Sequence, residues 1–170
     1  MWDDRVVAQP TKGNVVTLLV QATFTGANDP DAIKAQGAAI IALVEAMELG
    51  GFELDIWVEN TTLQSRHDTE PSFHTVLTHA HRAGELFDIN GFMFALGHPS
   101  WLRRIIFGAM EGYEKLEPYG YGQIVSSVAF DRVDPSMELK LGDAWSREAQ
   151  RDPFQWVLDQ LIAQGVYDGE

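Results

Sequence analysis

The strongest constraint on the fold is one short stretch of chain. Val15-Val16-Thr17-Leu18-Leu19-Val20 is apolar on both alternating faces, and a turn and a long helical pattern come after it. A strand exposed on one side alternates apolar and polar residues, so an unbroken run predicts a strand covered on both faces. From Asp31 to Leu49, the residues Ile33, Gly37, Ile40, Ile41, Val44 and Met47 recur at helical spacing. Gly50-Gly51 then supplies a left-handed exit. Phe52, Leu54, Ile56 and Val58 recur at every second position, the period of a half-buried strand. Strand, helix and strand at this spacing form a βαβ unit, with parallel strands and a right-handed crossover.

The rest of the chain extends this unit. A polar loop is expected over Asn60 to Ser72, then a β-branched strand over Phe73 to His81. With only a loop between them, this strand pairs antiparallel with the one before it. Asp88 caps a short helix ending near Leu96, and Pro99 opens another from Ser100 to about Glu114. Ile124 to Phe130 and Met137 to Leu141 are strand candidates, and Asp152-Pro153 starts a final helix. Its apolar face is expected to hold Phe154, Val157, Leu158, Leu161 and Ile162, with Trp156 off that face. The order implies one α/β domain over residues 1–170: a mostly parallel sheet, one antiparallel edge strand and helices on both faces.

Composition narrows the function. A chain of 170 residues buries roughly 70% of its extended surface without a disulfide or structural metal. No cysteine is present, which removes thiolate nucleophiles and cysteine-ligated zinc. The formal charge of −13 opposes the counterion release on which nucleic-acid binding depends. It equally opposes anionic membranes, and no apolar run approaches the ~20 residues that span a bilayer. The acidic start Met1-Trp2-Asp3-Asp4-Arg5 is not a signal peptide. The expectation is a cytoplasmic protein whose partners are basic proteins, cations, or surfaces chosen by shape.

Ligands in open α/β sheets bind at the carboxy ends of strands, which directs attention to Gln21-Ala22-Thr23-Phe24-Thr25. This turn and the element order resemble the von Willebrand factor A-type domain, a Rossmann-like fold. That family carries a metal-ion-dependent adhesion site, Asp-x-Ser-x-Ser after the first strand, with a Thr and an Asp supplied by later loops. Its oxygen ligands suit a hard cation such as magnesium or manganese. Here Thr23 and Thr25 keep the hydroxyls, Gln21 stands at the aspartate position, Ser100 precedes a helix as the family's Thr does, and Asp131 ends a strand candidate. The resemblance implies a degenerate site that binds a protein partner, an AAA+ ATPase among the candidates. Thr23 and Thr25 acting only as turn and cap residues explains the same pattern.

A second resemblance, carried by Phe92 to Phe107 with Gly37-Ala38-Ala39 and Gly50-Gly51-Phe52, is to uncharacterised bacteriophage proteins, which implies action in a host cytoplasm. Two alternatives stay open. One is a metal-dependent hydrolase using the same crevice or the pair His79 and His81, which regular alternation puts on one strand face. The other is an oligomeric virion or scaffold component. Arg103-Arg104 beside Trp101 would clamp a phosphate or pair with carboxylates, and Asp131, Asp134 and Asp143 have no spacing that joins them in one pocket. No phosphate loop or nucleophile elbow occurs.

Overall fold

A computed structural model of the chain describes residues 15–22, 29–65, 72–98, 100–112, 139–142 and 146–166. β1 (Val15–Gln21) occupies an inner position because it is apolar on both sides. Leu18, Leu19 and Val20 are all fully buried. The strand pairs parallel with β2 (Glu53–Ser65) on one side and with β4 (Leu139–Leu141) on the other. β3 (Ser72–His81) adds antiparallel to β2, giving the order β3-β2-β1-β4. The chain is thus α/β, with a mostly parallel sheet and one antiparallel edge strand.

α1 (Pro30–Leu49) makes the crossover from β1 to β2. Asp29 caps it by accepting from the Asp31 N–H, and Gly51 at φ 86° lets the chain leave after Gly50. α2 (Ile89–Gly97) is capped by Asp88, which accepts from the Gly91 N–H. It lies so close to α1 that a Cβ on Gly37 would sit 2.8 Å from the Met93 sulfur. Leu18, Val20, Leu54, Ile56, Val58, Leu139 and Leu141 form the sheet side of the core. α1 covers them with Ala39, Ile40 and Val44, and α2 with Phe92, Ala95 and Leu96. Further cover comes from α4 (Arg147–Arg151) through Ala149 and from α5 (Pro153–Ala163) through Trp156, Val157 and Leu161.

Four expectations change. β2 continues through Asn60, Thr61 and Thr62 to Ser65, where a loop was expected, because β3 pairs with it over that length. The Thr61 and Thr75 hydroxyls bond across the two strands at 2.7 Å. The helix expected from Ser100 begins as a π-helix, Trp101–Ile106, before regular α3 (Phe107–Glu111). A short helix, α4, precedes α5, capped by Ser146 on the Ala149 N–H. In α5, Trp156 is buried with Val157 and Leu161, while Phe154, Leu158 and Ile162 are exposed. The helix is rotated so that its largest side chain reaches the core. The strand expected over residues 124–130 lies outside the described residues.

The two sheet edges differ. At β4, the Gln164 side-chain amide accepts from the Lys140 N–H at 2.8 Å and donates to the Lys140 carbonyl at 2.7 Å. A side chain there imitates a neighbouring strand. At the other edge, β3 has a strand neighbour on one side only among the described residues.

Ile56, fully buried among strands and helices, is a direct check on this packing. Ile56→Ala is expected to cost about 2–5 kcal/mol in urea unfolding, whereas Leu86→Ala at an exposed turn should stay within about 0.5 kcal/mol.

Candidate functional site

The carboxy end of β1 sets the site. The parallel register places Gln21 directly opposite Glu59, on the sheet face that also carries Leu19. Antiparallel pairing puts Leu77 opposite Glu59 on its other side. The Ala22 N–H donates to the Glu59 carbonyl at 2.8 Å, holding the two strands together where β1 ends. Gln21 and Glu59 are both fully buried. The chain leaves β1 toward β2 through α1, while β4 lies on the opposite side of β1. A sheet whose connections diverge in this way opens a crevice at the end of its central strand.

Ser100 is half-buried, and its backbone N–H donates to His98 Nδ1 at 3.2 Å. α2 starts next to Phe87, which packs edge-on to His81 opposite Ile56, and Met93 meets α1 near Gly37. The helix therefore runs toward the end of the sheet where Gln21 lies, and Ser100 comes just after its last turn. Thr23, Thr25 and Asp131 lie outside the described residues, as do Asp134 and Asp143.

Glu59 was not among the residues singled out from the sequence. Neither carboxyl oxygen has a hydrogen bond of ordinary geometry among the described residues. Burial raises its pKa from 4.5 to about 8, while the Gln21 side chain pulls in the opposite direction. At neutral pH the acid is largely protonated, so Gln21 and Glu59 form an uncharged pair of polar groups. Asn60, next along the strand, is fully buried and also leaves its carboxamide atoms unbonded among the described residues. A strand apolar on both faces carried the missing signal. If β1 is covered on the side of Leu19, so is the residue of β2 beside Gln21.

The histidine pair divides. A bulge lies between the Ile56–His81 and Trp57–His79 pairings, so two successive residues of β2 face β3 residues two apart. His79 stacks on Trp57, centroids 4.2 Å apart and planes within 3°. His81 is buried on the other face, edge-on to Phe87 at 5.1 Å. Alternation does not survive a bulge, and the expected shared face is absent. Among the described residues no three His, Asp or Glu side chains come together as a metal centre.

His79 belongs instead to a satisfied network. Its Nε2 lies 2.8 Å from Asp55 Oδ1, Trp57 Nε1 donates to Asp55 Oδ2 at 3.0 Å, and Arg82 Nε approaches His79 Nδ1 at 3.4 Å. Burial alone would raise the Asp55 pKa, but hydrogen bonds from His79 and Trp57, the His79 charge and the Ala83 backbone together lower it. Stability from this carboxylate is present above the usual Asp range and is lost as pH falls through the lowered value. Arg104 on the π-helix is exposed, and the Arg103 side chain lies outside the described residues.

Glu59 has the opposite sign. Its folded-state pKa is raised, so its contribution is full below about pH 4.5 and is lost as pH rises toward 8. Glu59→Gln keeps the shape and removes the proton. Unfolding free energies from pH 5 to 9 should fall with pH in the wild type, by on the order of 4 kcal/mol, and fall much less in the variant. Parallel curves for the two proteins would show that Glu59 is ionised at neutral pH.

No described helix is long and apolar enough to cross a membrane. No curated protein and no solved structure matches the chain. A family model described as a domain of unknown function matches residues 1–161, and the chain therefore belongs to the DUF7192 family.

Proposed function

We propose that this chain is a non-enzymatic protein-interaction domain, with a von Willebrand A-like design, that docks its partner at the carboxy end of the sheet around Gln21. The observation that carries this reading is the Gln21–Glu59 pair, buried and polar at the end of the central strand. An uncharged amide and a protonated acid, both fully buried, hold little attraction for a hard cation. That supports recognition through shape and hydrogen bonding, with the metal site of the resembled family degenerate here. A phage-encoded protein that serves an AAA+ ATPase in a host cytoplasm is the specific form of this proposal. Ser100, Thr23, Thr25 and Asp131 would complete the rim. His79 and His81 face opposite sides of the sheet, which favours this reading over a hydrolase built on the histidine pair.

Affinity purification with immobilised wild type, Gln21→Ala, Ser100→Ala and Phe154→Ala tests the surface. The expected result is an ATPase partner retained by wild type and Phe154→Ala and lost by the first two variants. Equal recovery by all four proteins would move the docking surface elsewhere. Thermal melts in EDTA and in rising magnesium or manganese should coincide. A rise in Tm with ion concentration, abolished by Asp131→Ala, would restore the metal-dependent version.

A further inference from the structure

We infer that the amino end of the sheet is a docking surface for a basic, amphipathic segment of a partner protein. It lies at the opposite end of the strands from Gln21, so either reading can fail without the other.

Several segments meet at this end. β1 begins there at Val15, which pairs with Glu53 at the start of β2. α1 ends there at Leu49, and the Phe52 N–H donates to the Met47 carbonyl at 3.0 Å, folding the chain back before β2. β3 runs antiparallel to β2 and finishes at the same end, and the turn after it reaches the start of β2. A Cβ on Gly84 in that turn would lie 3.7 Å from Glu53 Oε2. α2 then starts at Ile89.

These segments bring large apolar side chains into the open. Leu86 is 98% exposed and Leu49 90%, and Phe52, Ile89 and Val15 are exposed as well. Single exposed leucines are ordinary, but several apolar groups from neighbouring segments at one end of a molecule mark an interaction surface. Leu49 and Leu86 bury almost nothing, so packing within the chain does not account for them.

The acid beside each apolar group identifies the partner. Glu48 precedes Leu49, Glu53 follows Phe52, Glu85 precedes Leu86 and Asp88 precedes Ile89. Arg82 is the only Lys or Arg at positions 45–53 and 82–90, and its Nε approaches His79 at 3.4 Å. The surface is therefore apolar with carboxylates set around it. A second copy would bring these acids against one another, and an anionic membrane or nucleic acid would be repelled in the same way. Lys and Arg around an apolar stripe match both parts, and an amphipathic helix is the simplest segment that offers them. The formal charge of −13 also steers such a segment toward the chain.

The probe is a helix-forming peptide of leucine and lysine with its leucines on one face. Its control is a peptide of the same composition with the leucines scattered. Calorimetry should show the amphipathic peptide binding wild type at least about tenfold tighter than the control. Leu49→Ser and Leu86→Ser should each weaken that binding by roughly tenfold, as should Glu85→Lys. Both leucines lie outside the core, so the variants keep the fold. Phe154→Ser, on the exposed face of α5, should bind as wild type does, and amide shifts on titration should localise to residues 48–53 and 84–90. Equal binding of the two peptides overturns the inference, because charge alone then suffices. Undiminished binding by both leucine variants also overturns it, placing the contact elsewhere. Sedimentation of wild type with phosphatidylcholine vesicles, lost in Leu86→Ser, would overturn it in favour of a lipid surface.

Discussion

The position of β1 between two parallel neighbours governs most of the architecture. Its alternate side chains point into two covered regions, so it cannot slip by one residue without exchanging Leu18 and Val20 for Leu19 and Gln21. That fixed register places Gln21 beside Glu59 and Leu18 beside Ile56. The helices then have a single apolar surface to cover, and Gly37 allows α2 to lie tightly against α1. Burying each large aliphatic side chain contributes about 1.5–3 kcal/mol, which makes this small strand disproportionately important to stability.

A buried carboxyl group beside a carboxamide is a poor choice for stability alone. A leucine at position 59 would remove the desolvation penalty that raises the acid's pKa. The group lies within β2, opposite the last residue of β1, where the connections of an α/β sheet separate. By contrast, Asp55, His79, Trp57 and Arg82 satisfy one another and explain themselves as a latch between β2 and the edge strand.

The fold was largely legible because the apolar periods in β1, α1 and β2 agree with their caps and turns. Asp88 and Asp152 cap helices where the sequence places them. Tertiary context decided what local pattern did not. The polar run Asn60-Thr61-Thr62 reads as a loop, yet pairing with β3 and cross-strand hydroxyl bonding keep it in the sheet. The division of His79 from His81 depends on one bulge that no residue type announces. Helical spacing gave α5 its length but not its rotation, since Trp156 and Phe154 compete for the buried side of the helix. Nothing in the sequence explains why Trp101–Ile106 adopts the wider π-helical winding. At the end of β1 the sequence shows Gln21 but not the acid buried beside it, because Glu59 belongs to a different strand.

The Gln164 cap has a consequence for how far such a sheet can grow. A sheet with both margins open propagates, because each added molecule presents a fresh margin to the next. Here one margin is already stitched by an amide that supplies a donor and an acceptor together. A single glutamine following α5 thus leaves Lys140 no free backbone group to offer an incoming strand.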